Sequence, residues 1–128
     1  MVNVQTVFTR EMSSELFLVM QENGLNMQDV LIPEGIEEIA PGAFCGRNEI
    51  KRVKLPKTLK RISDVAFYGC SRLESIDLPK GTKEIGTAAF KGSGLTRIEL
   101  PPKVAKIGSE AFADTPLTTA EIKCGCAG

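Results

Sequence analysis

The chain has 128 residues, 42% of them apolar and 25% charged, the balance of one soluble globular domain. Lys and Arg number 16 and so do Asp and Glu, leaving no formal net charge. That balance argues against a general binder of polyanions. Histidine is absent, which excludes Ser-His-Asp, Cys-His and His-metal chemistry together.

The opening residues, MVNVQTVFTREMSSEL, lack a basic segment followed by an apolar one, so they do not read as a signal peptide. The longest apolar run, Leu16 to Met20, is too short to cross a bilayer. As the sequence stands it predicts a cytoplasmic protein. Removal of an N-terminal signal would make it a secreted or cell-surface one. Val2 to Phe8 has strand composition. Thr9 or Ser13 is placed to cap a helix, and Gly24 to stop it after Asn23. Met12, Leu16, Val19 and Met20 fall on one face of that helix. Residues 1–26 therefore predict a strand-helix cap. The helix has no Lys and only Arg10 near its start, so no membrane partner is expected.

The rest of the chain repeats. Phe44, Phe67, Phe90 and Phe112 recur every 22 or 23 residues, each preceded by Ala, and Ile39, Ile62, Ile85 and Ile107 keep the same phase. Short alternating segments recur with them: Val30 and Ile32, Val53 and Leu55, Ile76 and Leu78, Ile98 and Leu100, then Ala120 and Ile122. Alternation of this kind reads as strands with one buried face. Pro33, Pro56, Pro79 and Pro101 follow four of the five, where a residue without an N–H ends a strand. One such unit cannot bury its apolar face, but stacked units can, with like residues forming columns. The expected fold is a solenoid with parallel strands and a core column of phenylalanines.

The pattern L-x-x-I-x-L-P, followed by I-G or I-S and then A-F-x-x-C, resembles the BspA-like, treponemal-type leucine-rich repeat. Ala66, Phe67, Gly69, Cys70, Leu73, Ile76, Leu78, Pro79, Ile85, Gly86, Ala89 and Phe90 match it best. Gly35, Thr58, Gly81 and Lys103 stand where the commoner leucine-rich repeat has Asn, which fits this subtype. The resemblance implies a leucine-rich-repeat horseshoe segment with a parallel β-sheet on its concave face and short irregular or helical turns. It places the repeats at 27–123, as four units plus a leading strand, and leaves a Cys/Gly tail at 124–128. It also implies surface attachment, adhesion and protein binding rather than catalysis.

No P-loop, GxGxxG or GxSxG motif occurs, so no catalytic residue and no cofactor is assigned. Cys45 and Cys70 sit among apolar repeat positions, as small hydrophobes with free thiols. Cys124 and Cys126 fall short of the ligands a metal site needs, so no metal is assigned. Binding residues are sought where strands face outward, free of core duty. These are Asp29, Arg52, Ser75, Arg97 and Thr119 in one column, and Lys54, Asp77, Glu99 and Glu121, after Leu31, in the other. Their mixed charge and lack of aromatics fit a protein partner and not nucleic acid. The expected role is a non-enzymatic protein-binding module, an intracellular adaptor or inhibitor such as a phage or mobile element encodes. The alternatives are a fragment of a secreted bacterial surface adhesin, or a self-assembling protein that dimerises through the open Leu117–Ile122 edge. If Phe67 lies in a stacked core, Phe67→Ala lowers stability by about 3–5 kcal/mol, and a fall in melting temperature is the check.

Overall fold

The computed structural model describes residues 7–24, 28–96, 98–117 and 122–124. It begins with strand β1 (Val7–Phe8) and helix α1 (Arg10–Glu22). The repeats then alternate three-residue and two-residue strands. The longer set is β2 (Asp29–Leu31), β4 (Arg52–Lys54), β6 (Ser75–Asp77), β8 (Ile98–Leu100) and β10 (Ile122–Cys124). The shorter set is β3 (Glu38–Ile39), β5 (Arg61–Ile62), β7 (Glu84–Ile85) and β9 (Lys106–Ile107). All pairing is parallel. Strands β2, β4 and β6 form one ladder, β8 and β10 another, and β1, β3, β5, β7 and β9 a third.

A ladder of two-residue strands stands between the turns expected from the sequence. Its cause is local. A polar residue facing out and an Ile facing in repeat at the same phase, so the backbone pairs from rung to rung. Ile39, Ile62 and Ile85 are fully buried, and β1 adds Phe8 beside Ile39. Between the two strand sets, each proline carbonyl closes a turn three residues on: Pro33 to Ile36, Pro56 to Leu59, Pro79 to Thr82 and Pro101 to Val104. Thr58 does part of the work of the missing Asn, accepting from the Gly35 amide at 2.9 Å and donating to the Ile36 carbonyl at 2.8 Å.

The third side of each rung is a bend around the Ala-Phe pair. Residues two before and two after each Phe have left-handed backbone: Gly42 and Gly46, Val65 and Gly69, Ala88 and Gly92, Glu110 and Asp114. Val65, with φ of +51°, is the most strained of these, because a β-branched side chain disfavours that region. The bends are tied by a one-way set of amides. Gly42, Phe44 and Gly46 donate to the carbonyls of Asp64, Ala66 and Tyr68. Val65, Phe67 and Gly69 donate to Thr87, Ala89 and Lys91. Ala88, Phe90 and Gly92 donate to Ser109, Ala111 and Ala113.

Inside the bends the rings stack face to face. Phe8, Phe44, Phe67, Phe90 and Phe112 follow one another with centroids 5.2, 5.2, 5.3 and 5.6 Å apart. The cap thus supplies the first ring of the column. Thr9 caps α1 by accepting from the Met12 amide, and Gly24, at φ +65°, follows the C-cap Asn23. The buried stripe of α1 is Ser13, Phe17 and Met20, flanked by Met12 and Leu16. Val19, expected on that face, is exposed. Phe17 takes the inner position, because its ring meets Phe44 edge-on and lies under the Arg47 guanidinium, 4.6 Å away.

The last strand is displaced from the phase of the sequence repeat. Pairing sets Ile122, not Ala120, beside Ile98, a register that matches an Ile rather than an Ala to the larger apolar neighbour. Most of the expected Leu117–Ile122 edge lies outside the described residues, and β10 at Ile122–Cys124 is the last of the described strands.

Thr82 interrupts the apolar column of Ile36 and Leu59. It is fully buried and its hydroxyl has no hydrogen-bond partner. A buried hydroxyl without a partner is unfavourable, so Thr82→Val, nearly equal in shape, raises unfolding free energy by about 1 kcal/mol. Denaturant titration measures the change, and an unchanged or lower midpoint contradicts it.

Candidate functional site

Strands β2, β4 and β6 bury their central Val or Ile and expose the residues on either side, while β8 exposes its central Glu99 between buried Ile98 and Leu100. Pairing brings Asp29, Arg52 and Ser75 into one column and Leu31, Lys54 and Asp77 into the next. A shallow groove of about 270 Å³ unites Asp29, Arg52, Lys54, Ser75 and Asp77. A neighbouring one of about 320 Å³, between β6 and β8, adds Glu99, Lys80 and Pro102. Six of the nine sequence-predicted positions therefore share one face. Arg97, Thr119 and Glu121 lie outside the described residues. The shifted register of β10 also revises the acidic column, since Lys123 rather than Glu121 stands beside Glu99.

The charges on this face are partly spoken for. Arg52 donates to Asp29 at 2.6 Å. That hydrogen bond holds the Asp29 carboxyl below its ordinary value and raises Arg52. Lys54 and Asp77 stand side by side in register but close no ion pair within the described residues. Leu31, 67% exposed, adds an apolar contact at the β2 edge. Unpaired charge of both signs next to an exposed Leu is suited to a polar, complementary protein surface.

The face of the two-residue strands behaves differently. Arg61 is held between Glu38, at 3.0 Å, and Glu84, at 2.5 Å. Its hydrogen bond keeps the Glu84 carboxyl below the ordinary range. Lys106 continues the alternation in register with Glu84. An open groove of about 340 Å³ runs past these residues over Ser63, Gly86 and Gly108. Gly86 lies so close to the preceding rung that a Cβ there would fall 2.5 Å from the Asp64 amide. Glu38, Arg61 and Glu84 are thus satisfied by one another.

A fourth groove, of about 290 Å³, escaped the sequence reading. Glu37, Lys57, Lys60, Lys83 and Lys103 line it, on the flank where the chain turns after each proline. The available signal was a column in which Lys follows Lys. It went unread because the net charge of the whole chain is zero.

Cys45 and Cys70 are free thiols. Cys70 is buried and donates to the Phe44 carbonyl at 3.0 Å. Burial pushes its pKa up to about 12. Among the described residues no group of three or more Cys, Asp or Glu is placed to hold a metal ion, and no helix is long and apolar enough to cross a membrane.

Residues 20–127 match the profile of the BspA type leucine rich repeat region, in six copies. Among solved structures, the chain is similar to a leucine-rich repeat protein from Bacteroides ovatus, at 35% identity and a TM-score of 0.64 over 69% of this chain and 24% of that one. It is similar to the pneumococcal vaccine antigen PcpA, at 27% identity and a TM-score of 0.69 over 78% and 25%. It is similar also to the T. pallidum leucine-rich repeat protein, at 30% identity and a TM-score of 0.58 over 70% and 55%. The chain thus spans between a quarter and just over half the length of these structures. No curated protein matches it in sequence.

A thiol with so high a pKa carries almost no thiolate near neutrality, and only the thiolate is a nucleophile. In mildly alkaline solution Cys70 therefore resists iodoacetamide until the chain is unfolded by guanidinium. Mass spectrometry of the alkylated peptide reads this directly, and rapid labelling in the native state contradicts it.

Proposed function

We propose, from the premise that this chain belongs to the BspA-type leucine-rich repeat family, that it is a non-enzymatic module docking another protein on its three-residue-strand face. One observation carries the reading. Lys54, Asp77 and Glu99 are exposed on the same face and close no ion pair among the described residues, next to the exposed Leu31, whereas on the other ladder Glu38, Arg61 and Glu84 pair with one another. A rigid sheet holds these side chains at fixed spacing, so little ordering entropy is lost when a partner binds. The chemistry selects a partner with an acidic spot opposite Lys54, basic spots opposite Asp77 and Glu99, and an apolar pocket for Leu31.

The likeness to a vaccine antigen favours a bacterial surface or secreted setting, with binding as a piece of an adhesin, over an intracellular adaptor or inhibitor. In that setting the partner is another surface protein or a protein of a host.

The test is capture from a mixed protein source by the native chain and by a variant with Lys54→Glu, Asp77→Lys and Glu99→Lys. All three positions are exposed, so the melting temperature stays within a few degrees. A protein held by the native chain and lost from the variant supports the face. Equal capture by the two removes it.

A further inference from the structure

The lysine flank described above carries a second interaction surface. Charges alternate in sign from rung to rung at Asp29 and Arg52 and along Glu38, Arg61, Glu84 and Lys106. On the flank they do not. Lys57 and Lys80 occupy the same repeat position, and so do Lys60 and Lys83. The Lys83 amide donates to the Lys60 carbonyl at 2.8 Å, so these residues sit on hydrogen-bonded neighbouring rungs. Rungs are about 4.8 Å apart, and like charges at that distance are unfavourable. Lys57, Lys80, Lys83 and Lys103 close no ion pair among the described residues.

The first unit shows what such a flank accepts. Its Glu34 and Glu37 occupy the repeat positions that Lys57 and Lys60 occupy one rung later. Both oxygens of the Glu34 carboxylate accept from the Lys57 amide at 3.2 Å. Glu37 pairs with the Lys60 ammonium at 3.6 Å. The same two places on the next rung are an amide and an ammonium belonging to Lys80 and Lys83. There the preceding residues are lysines, which have no acceptor to offer. The Lys80 amide accordingly has no acceptor among the described residues.

We infer that this flank binds an acidic polypeptide, whose carboxylates, spaced as in Glu-x-x-Glu, take on the later rungs the places that Glu34 and Glu37 take on the first. A polypeptide fits better than nucleic acid, because the groove has no aromatic side chain for a base to stack on. It fits better than a sulfated glycan, because the bound group already seen there is a carboxylate on a backbone amide. The inference does not depend on the strand face.

The probe is a fluorescein-labelled peptide with three copies of Glu-Gly-Ile-Glu, the chain's own Glu34–Glu37 segment, followed by fluorescence anisotropy at low salt. Saturable binding is expected that weakens about tenfold in a Lys83→Glu, Lys103→Glu variant, less in a Lys83→Gln, Lys103→Gln variant, and falls as salt is added. Arg72→Glu, an exposed charge reversal that lines neither the strand-face grooves nor the lysine flank, leaves binding unchanged, which separates the flank from a general loss of positive charge. Circular dichroism confirms that each variant is folded. The inference is overturned by absence of saturable binding, or by equal binding to the flank variants. It is overturned also if heparin or a single-stranded oligonucleotide of equal charge displaces the peptide at lower concentration than unlabelled peptide does.

Discussion

The stacked phenylalanine column is the interaction on which the rest of the molecule depends. Hydrogen-bonded strands set rungs about 4.8 Å apart, while the ring centroids stand 5.2 to 5.6 Å apart. Offset stacking reconciles the two, because rings sliding past full overlap also reduce repulsion between their π faces. Holding each ring at that offset requires the chain to bend sharply on both sides of it. The paired left-handed residues around each Ala-Phe do this, and Val65 tolerates strain for it. The amide ladder of the bends and the ring column therefore support each other, and both strand sets take their spacing from them.

Charge is organised on this frame side by side rather than end to end. Each outward column runs along the stack, so a residue's neighbours are its counterparts in adjacent units. Where signs alternate, as around Arg61, the column holds itself together and offers little to a ligand. Where charges close no ion pair among the described residues, as at Lys54, Asp77 and Glu99, or repeat in sign, as along the lysine flank, the surface keeps charge to offer. In a solenoid, that difference is decided by single residues at one repeat position.

Much of this was legible in the sequence because the repeat converts one-dimensional spacing into three-dimensional columns. The Phe phase, the Ile phase through Ile85, the prolines that end strands and the Thr9 and Gly24 helix limits found their expected places, whereas Ile107 is exposed on its rung. Four features did not follow from spacing. Phe8 lies outside the repeat, so nothing in its sequence position announced the fifth ring. Val19 satisfied helical periodicity, yet Phe17 displaced it, since the inner position was decided by contact with Phe44 and Arg47. The second ladder was hidden because two-residue strands have too little length to show alternation. The last register moved because the periodic rule assigned an Ala to a place that an Ile occupies. For the proposed binding face, spacing located the exposed columns, but only side-chain geometry separated Arg52, committed to Asp29, from Lys54, which is not.

The one-way amides of the bends also give the solenoid a polarity. Every unit presents three carbonyls backward and three N–H groups forward. The forward groups of the fourth unit belong to Glu110, Phe112 and Asp114, and among the described residues they meet no acceptor. The backward end is covered, with Phe8 stacked on Phe44 and Arg10 donating to the Gly42 carbonyl. The bends therefore point one way along the stack, and a further rung of the same kind would meet the Glu110, Phe112 and Asp114 amides with its carbonyls.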